Sequence, residues 1–444
     1  MQIRRFKVDL SSESLVRIFS SRVGGFALDS TLQIDKLGDW SFYGSEPFKW
    51  INGGQDFEEL RQEIDKYKFI NLSNTLDMMK LPFVGGAVGF ISYDYARCLE
   101  SIPKESNNDL SIPSLCFGLY DQFVAKNIKS GEVFLVASEV RVSAEESFSN
   151  LEKIIECYRP IKEFQNAVSF KNWLWDTSKE DFCRSVEKIR NLIAKGDVYQ
   201  VNLSRRREAC FIGSTINLYC ALRLGNPSPY GGYFNNGKIQ LISTSPEQFL
   251  KKTGSTLVTR PIKGTRPRGK TSRADKQFEK DLIRSKKDRA ELLMIVDLER
   301  NDLGKVSKYG TVMAGSEFNI EFYKSVMHAT AEIRSELSDE KDIFDALNAL
   351  FPGGSITGAP KIKAMEIIES LEPNQRGLYC GSFGYIGFNH DAEFNISIRS
   401  ITCVRDRLYY SVGSGIVWDS IPEQEYEETE AKGKAIEATF KSLI

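Results

Sequence analysis

The chain has 444 residues, 41% of them hydrophobic and 27% charged, which is ordinary composition for a globular protein of one large or two to three smaller domains. Its 59 basic and 60 acidic side chains give a net charge of -1, so the basic excess of a nucleic-acid-binding protein is missing. The longest apolar run has about five residues, whereas crossing a bilayer takes ~20. No apolar segment follows the basic N-terminal residues. We therefore expect a cytoplasmic protein that binds neither nucleic acid nor membrane.

The first 160 or so residues alternate short apolar stretches with turn signals, such as NGG at 52–54 and the glycine-rich segment at 85–94. This pattern indicates a region rich in β-sheet. A helical stretch at 143–158 is followed by a segment of mixed polarity at 159–170. We place a sequence boundary in this segment, which separates an N-terminal β-rich region, 1–165, from a catalytic region, 166–444.

The catalytic region opens with an amphipathic helix. Thr177 to Glu180 reads TSKE, a capping-box pattern, and the helix is predicted to end at Gly196. Apolar residues recur at helical spacing between these points, namely Phe182, Val186, Ile189 and Ile193.

The segment at 197–206 alternates as a strand does. Tyr199, Val201 and Leu203 are predicted to face one side. The opposite side carries only uncharged polar side chains, those of Gln200, Asn202 and Ser204. Such a face is suited to lining a cavity.

Two pairs of acidic residues have helical spacing. Asp288 and Glu291 are three residues apart, as are Glu425 and Glu428, and Lys432 follows four residues later. If both segments are helical and meet, they supply four carboxylates, a ligand set that suits Mg²⁺ better than Zn²⁺. Acidic pairs at this spacing are more often solvated helix surfaces, so spacing alone does not predict a metal site.

Lys263 lies in the segment TRPIKGTRPRG, between a rigid Pro-Ile and a flexible Gly-Thr. A free lysine has a pKa of ~10.4, so a nucleophilic role requires removal from water or a cationic neighbour. The alternative is that this lysine belongs to a solvated basic loop with Arg260, Arg266 and Arg268.

Two glycine-rich segments resemble phosphate loops but do not match them. In FPGGSITGAPKIKAMEII, Ala359 and Pro360 separate the last glycine from Lys361, which excludes a Walker motif. VGSGI, at 412–416, lacks the third glycine of a dinucleotide fingerprint. Each segment can present backbone amides to a carboxylate, or can be a structural bend.

Together these segments resemble the chorismate-utilising enzymes, and the N-terminal third matches that family more loosely. The resemblance implies an α+β fold of the anthranilate synthase component I type. In that fold, large antiparallel sheets pack face to face, helices lie outside, and the active site lies in the cleft between. The matching blocks run in the family's order from about Asp197 to Lys432, and they are DVYQVNLSRR, SPEQF, TRPIKGTRPRG, DRAELLMIVDLERNDLG, FPGGSITGAPKIKAMEIIESLEP, GSFGYIGF, NISIRS, VGSGIVWDS and EYEETEAK.

The resemblance also implies roles for individual residues. Glu291 and Glu428 are expected to coordinate Mg²⁺, supported by Asp288 and Glu425, with the ion bound to the ring carboxylate of chorismate. The N-terminal part of this family can carry an effector pocket for an aromatic amino acid, and Ser30 and the PYGG stretch from Pro229 match it loosely. The residues expected to contact substrate are Gln200, Thr265, His328, Thr357, Tyr385, Arg399, Gly413, Ser414, Gly415 and Lys432.

Two positions distinguish the reactions within the family. Isochorismate-forming and salicylate-forming relatives carry a lysine base where this chain has Gln200, and anthranilate synthases read PIAGT where this chain reads PIKGT at Lys263. The resemblance therefore implies amination of chorismate by ammonia. Lys263 would be the nucleophile at C2, Glu247 the general acid at C4, and 4-amino-4-deoxychorismate the product, a precursor of 4-aminobenzoate and folate.

Ammonia requires a source, and no cysteine of this chain lies in the GxCxG elbow of a glutaminase. We expect a separate glutamine amidotransferase subunit as partner. One alternative is an anthranilate synthase component I, which would eliminate pyruvate from the same substrate. Another is a non-catalytic chorismate-binding subunit, which should have lost Glu247, Glu291 or Glu428, and all three are present.

Overall fold

The computed structural model describes residues 1–34, 37–67, 81–158, 168–315 and 318–443. The predicted sequence boundary near residue 165 lies outside these residues. None of the helices described is long and apolar enough to cross a membrane. The helices are α1 (Ser12–Ser20), α2 (Glu58–Asp65), α3 (Ala96–Leu99), α4 (Ala144–Cys157), α5 (Lys179–Lys195), α6 (Thr215–Gly225), α7 (Ser272–Arg284), α8 (Lys286–Gly304), α9 (Ile343–Leu350), α10 (Lys361–Leu371) and α11 (Pro422–Leu443).

Most strands are short, apart from the longer β10 and β24, and the named strands pair in antiparallel ladders. They are β1 (Gln2–Phe6), β2 (Phe26–Asp29), β3 (Trp40–Gly44), β4 (Lys49–Asn52), β5 (Gly86–Ile91), β6 (Leu115–Tyr120), β7 (Gln122–Asn127), β8 (Val133–Ala137), β9 (Ser169–Trp175), β10 (Gln200–Ile212), β11 (Tyr230–Asn235), β12 (Ile239–Ser245), β13 (Gln248–Thr253), β14 (Thr256–Arg260), β15 (Ile262–Pro267), β16 (Met313–Ala314), β17 (Asn319–Phe322), β18 (Val326–Thr330), β19 (Ile333–Glu336), β20 (Gly358–Ala359), β21 (Ser382–Gly387), β22 (Ala392–Ile396), β23 (Ser400–Val404) and β24 (Arg407–Ile416).

Two large sheets and one small sheet form the body of the molecule. The first large sheet has the strand order β1-β8-β7-β3-β2-β11-β12-β23-β24-β10-β20, with β9 also paired to β10. The second has the order β16-β19-β14-β13-β22-β21-β5-β6-β4, and the small sheet has the order β15-β18-β17. Both halves of the sequence contribute to both large sheets, since β2 pairs with β11 and β5 pairs with β21.

Aromatic side chains fill the space between the two large sheets. Phe234 of the first sheet meets Phe383 and Phe90 of the second, with ring centroids 6.0 and 5.9 Å apart. All three side chains are fully or almost fully buried, and burial of apolar surface of this size is the main force that holds two such layers together. The predicted α+β arrangement of antiparallel sheets packed face to face is therefore confirmed.

The first helix and strand of the catalytic region largely follow the prediction. Helix α5 ends at Gly196, whose φ of 83° is the left-handed conformation that favours glycine. Its N-cap is Ser178, whose hydroxyl accepts from the backbone amide of Asp181, so the predicted cap at Thr177 is wrong by one residue. Tyr199 precedes β10, which begins at Gln200, and is 66% exposed, so it does not share the buried side of Val201 and Leu203 as the predicted alternation has it.

Candidate active site

Strands β10 and β24 form the floor of the candidate site. Asn202 pairs with Gly415 and Ser204 with Gly413, so these side-chain positions share one face of the sheet. The VGSGI segment is thus part of a strand and not a turn. Ser414 pairs with Leu203 on the opposite face, which packs into the apolar core, so only its backbone can contribute to the site.

Gln200 points toward the glycine positions of β24. A methyl group added at Gly415 would lie 2.6 Å from the Nε2 of Gln200. The Gln200 side chain is fully buried, and within the part of the chain that the structure describes neither its Oε1 nor its Nε2 has a hydrogen-bond partner. A buried amide without partners costs about 1–3 kcal/mol. Both polar atoms of this amide are therefore available to hydrogen-bond with a molecule that enters the site.

The side chain of Lys263, on β15, also extends toward Gly415. Its Nζ donates to the carbonyl of Ser355, 2.9 Å away, and would lie 3.7 Å from a methyl group at Gly415. Burial lowers the pKa of Lys263, against the attraction of Glu291 and Glu247. Lys263 therefore does not belong to a solvated loop, and its neutral amine is accessible at a smaller cost than that of a surface lysine.

Glu247 lies in the turn between β12 and β13, and its side chain is almost wholly enclosed. Its Oε1 accepts from the backbone amide of Ile262, 3.1 Å away, which brings it next to Lys263 in the chain. Burial raises the pKa of Glu247. A carboxyl of this kind is suited to donating a proton.

Arg399, His328 and Thr265 form a connected set on one wall. Arg399 donates to the Nε2 of His328 (3.2 Å), so the proton of the neutral imidazole resides on Nδ1, which donates to the Thr265 hydroxyl (2.8 Å). Burial and the Arg399 cation lower the pKa of His328. No carboxylate of the described residues forms an ion pair with Arg399. Its guanidinium is therefore available to a carboxylate of a ligand.

The two acidic pairs lie on helices, as predicted, Asp288 and Glu291 on α8 and Glu425 and Glu428 on α11. Glu428 on α11 forms an ion pair with Lys432 (2.7 Å), whose Nζ also donates to the Gly413 carbonyl (2.8 Å). Although burial opposes its ionisation, the Lys432 ammonium lowers the pKa of Glu428. Asp288 pairs with Arg266 (2.7 Å). These contacts tie α11 and α8 to strands β24 and β15.

Glu291 on α8 and Glu428 on α11 are close enough to repel each other. Burial, together with repulsion from Asp288 and Glu428, raises the pKa of Glu291. Glu425 is turned toward the Ser420 hydroxyl, 2.6 Å from its Oε1. No three Asp, Glu, His or Cys side chains of the described ranges converge as a metal cluster. Magnesium, however, commonly takes only one or two protein carboxylates and completes its shell with water and substrate oxygens, so Glu291 and Glu428 fit this ion.

Thr357 belongs to the wall through its backbone. Its carbonyl accepts from the amide of Asn202 on β10, and its hydroxyl donates to the Gly353 carbonyl within its own turn. These bonds fix the turn that carries Ser355 against the strand that carries Gln200.

The structure does not bring Tyr385 to this site, which corrects the prediction. Its ring packs against Phe83, with centroids 4.9 Å apart, and lines a second cavity with Ser30 and Pro229. Ser30 and the PYGG stretch thus share one cavity, as the looser resemblance implies. The tyrosine that reaches the site is Tyr379, whose hydroxyl would lie 3.0 Å from a methyl group at Gly413.

Cys380, the cysteine closest to a glutaminase pattern, is buried, and burial raises its pKa to about 12. A thiol with this pKa is protonated at neutral pH and is a poor nucleophile.

Comparisons with known proteins agree with this geometry. A family model described as chorismate binding enzyme matches residues 32–438. The chain is 42% identical to aminodeoxychorismate synthase component 1 of Bacillus subtilis, over 98% of this chain and 96% of that protein. It is 37% identical to anthranilate synthase component 1 of Acetivibrio thermocellus, over 95% and 91% of the two chains. The crystal structure of anthranilate synthase component I from Streptococcus pneumoniae superposes with a TM-score of 0.79 at 30% identity, covering 91% and 93%.

Proposed function

Since the chain belongs to the family of chorismate-binding enzymes, we propose that it aminates chorismate to 4-amino-4-deoxychorismate, with Mg²⁺ as cofactor and ammonia as co-substrate. The observation that carries this proposal is the partly buried Lys263 beside Gln200 and Glu247. A water-activating base at position 200 would favour hydration of the ring. A glutamine cannot accept a proton, whereas an amine of lowered pKa can form a bond to carbon.

In the proposed first step, the neutral amine of Lys263 attacks C2 of the ring. The double bonds shift, the C4–O bond breaks, and Glu247 gives its proton to the departing hydroxyl, which leaves as water. In the second step ammonia adds at C4, the bond between C2 and the lysine nitrogen breaks, and the proton released by the added nitrogen returns to Glu247. Lysine and acid are restored, and the enolpyruvyl group remains attached.

The remaining residues of the site would hold the substrate. Arg399 lacks an anionic partner among the described residues, so we assign it a carboxylate of chorismate, with Tyr379 and the backbone of 413–415 beside it. Glu291 and Glu428 would hold Mg²⁺, with Asp288 and Glu425 in support. The ion would neutralise these carboxylates and the ring carboxylate, and thereby fix the ring in place.

We propose a glutamine amidotransferase subunit as the ammonia donor. The buried, protonated thiol of Cys380 leaves this chain without a glutaminase nucleophile at the position closest to that pattern. Free ammonium should therefore support turnover only at high concentration. Efficient use of glutamine by the purified chain alone would contradict this part of the proposal.

The test is to incubate the purified chain with chorismate, Mg²⁺ and ammonium, and to identify the product by mass spectrometry. We expect 4-amino-4-deoxychorismate, and loss of at least about 1,000-fold in kcat for Lys263→Ala, since removal of a covalent nucleophile can cost up to about 10⁶-fold in kcat. Lys270→Ala is the matched control, because this lysine lies exposed a few residues after β15. Unchanged kinetics in Lys263→Ala would show that ammonia attacks chorismate directly.

Formation of anthranilate is the second candidate function, supported by the similarity to anthranilate synthases. The same assay separates the two reactions, because anthranilate formation releases pyruvate. Lys263 argues against it, since it adds a nucleophile where the anthranilate synthase loop has alanine. Detection of pyruvate in equal amount with the aromatic product would decide for anthranilate synthase.

A further inference from the structure

Arg205 is a buried cation on the face of β10 that is turned away from the site. It pairs with Val412 of β24, whose Cγ1 would lie 3.8 Å from a methyl group at Gly433 of α11, whereas Ser204 faces the site with Gly413. Only 1% of the surface of Arg205 is exposed. The proposed mechanism gives this guanidinium no role. Burial of an unpaired charge is costly, so Arg205 requires strong contacts.

The guanidinium of Arg205 supplies these contacts through helix α11. Its Nε donates to the Thr429 hydroxyl (2.9 Å), its Nη1 donates to the Tyr426 hydroxyl (3.1 Å), and its Nη2 forms an ion pair with Glu430. It also lies over two aromatic rings, 3.8 Å from the centroid of Trp175 on β9 and 4.2 Å from that of Tyr426. Because the donors of a guanidinium point in fixed directions, this set of contacts holds the helix at one rotation and one height.

The contacted residues of α11 flank the helix residues that reach the site. With about 3.6 residues per turn, Glu428 and Lys432 lie roughly a third of a turn around the helix from the side that Arg205 contacts. Lys432 donates to the Gly413 carbonyl and forms an ion pair with Glu428. Since Cα atoms lie about 2.3 Å from a helix axis, a rotation of about 25° would move each of them by about 1 Å. Loss of the Arg205 contacts would permit such a rotation.

We propose that Arg205 is a positioning residue, which acts through α11 to hold Glu428 and Lys432 at the site. This inference rests on the proposed function, in which Glu428 holds Mg²⁺. Groups that orient a metal ligand typically contribute about 10- to 100-fold to metal affinity or activity. The effect of Arg205 should therefore be seen in the dependence of the reaction on Mg²⁺.

Arg207 offers a matched comparison on the same face of the same strand. It lies over the Trp175 ring, 5.2 Å from the centroid, and forms an ion pair with Glu437 of α11. Glu437 lies nine residues beyond Glu428, which is about 14 Å along the helix. Arg207 should therefore stabilise the second half of α11 without fixing the position of Glu428.

The test compares Arg205→Met with Arg207→Met. Methionine keeps an unbranched apolar stem against the same aromatic rings. Neither change leaves a buried carboxylate without a partner, because Glu430 is 42% exposed and Glu437 still accepts from the Tyr410 hydroxyl, 2.6 Å away. Both variants should therefore fold, with similar decreases in the midpoint of urea unfolding.

The first measurement is steady-state kinetics with Mg²⁺ varied at saturating chorismate and ammonium. We expect KM for Mg²⁺ to rise about 10- to 100-fold in Arg205→Met and to change less than twofold in Arg207→Met. Arg205→Lys should fall between Arg205→Met and the native chain, since lysine keeps a charge for Glu430 but lacks the fork that also reaches Tyr426 and Thr429. Equal changes in the two methionine variants would indicate a merely structural role and refute the proposal.

The second measurement requires no turnover. Hydrogen exchange of α11 is followed by mass spectrometry with and without Mg²⁺ and chorismate, in the absence of ammonium. In the native chain the two ligands should slow exchange in the first half of the helix, 422–432, because they bind beside it. This protection should be lost in Arg205→Met and retained in Arg207→Met, in which only the second half, 433–443, should exchange faster.

The outcomes separate this inference from the proposed function. If the native chain aminates chorismate and Arg205→Met keeps the native KM for Mg²⁺, the positioning role is refuted while the function stands. If the ligands protect 422–432 only when Arg205 is present, but the chain does not aminate chorismate, the positioning role stands and the function is refuted. Absence of protection in the native chain would refute both the Mg²⁺ site on α11 and the role of Arg205.

Discussion

Replacing Gly415 with alanine should remove most of the activity while the fold remains intact. Gly415 lies within β24 and is not among the glycines with positive φ, so alanine fits its backbone. The new Cβ would lie 2.6 Å from Gln200 Nε2, whereas real contacts of a Cβ are essentially never shorter than 3.0 Å. The Gln200 amide must therefore move by at least 0.4 Å, the difference between these distances.

The methyl group would also lie 3.7 Å from the Nζ of Lys263, in van der Waals contact with the proposed nucleophile. It would occupy space that we assign to the substrate ring in the proposed function, and misplacement on the order of 1 Å in an active site costs about 100-fold in rate. We therefore expect kcat/KM for chorismate to fall about 100-fold. Overpacking of this kind should lower the free energy of unfolding by about 1–3 kcal/mol.

The matched control is Gly433→Ala on α11. The closest atoms to its new Cβ are 3.8 Å away, an ordinary contact, and alanine in a helix stabilises by roughly 0.5–1 kcal/mol relative to glycine. Steady-state kinetics with chorismate, Mg²⁺ and ammonium, together with urea unfolding, measure both effects. Native kcat/KM in Gly415→Ala would show that the substrate does not lie against β24.

Three further predictions each concern one residue. Arg399→Gln should raise KM for chorismate about 10- to 100-fold in steady-state kinetics, because a hydrogen bond to a charged group contributes about 1.5–3 kcal/mol; an unchanged KM would exclude Arg399 from binding. The folded-state pKa of Glu299 is about 8 against an ordinary 4.5, so the folded chain retains this proton between those values and loses stability as pH rises through them. Between pH 6 and pH 9, the free energy of unfolding measured in urea should therefore fall by roughly 3 kcal/mol more in the native chain than in Glu299→Gln. Equal decreases in the two proteins would contradict a buried, neutral Glu299. Gly196→Ala should cost about 1 kcal/mol in urea unfolding through backbone strain alone, since nothing lies within 4 Å of its Cβ position, and a neutral result would contradict the left-handed helix end.

Local patterns predicted local structure well, with errors where two choices were chemically equivalent. Thr177 and Ser178 are both good N-cap residues, and side-chain chemistry alone does not separate them. The structure selects Ser178 through its bond to Asp181. The resemblance predicts that Ser414 contacts substrate together with Gly413 and Gly415. Because VGSGI is part of a strand, alternation instead turns the Ser414 side chain to the core.

The site itself was predictable only through the family resemblance. Gln200, Lys263 and Gly415 meet in space although they are far apart in the chain and belong to different strands, and no spacing rule connects them. The exchange of Tyr379 and Tyr385 has a physical reason. β21 begins at Ser382, so Tyr385 alternates into the space between the sheets, whereas Tyr379 precedes the strand and reaches Gly413.

The interleaving of the two sheets has a consequence for biosynthesis. β2 pairs locally with β3 and β5 with β6, but the second neighbour of β2 is β11, some 200 residues later, and that of β5 is β21, almost 300 residues later. During translation each of these local pairs has one edge whose partner strand has not yet been made. The nascent polypeptide therefore completes its layers only after nearly the whole chain has left the ribosome. Such non-local closure makes folding slow and leaves newly made molecules dependent on protection from aggregation.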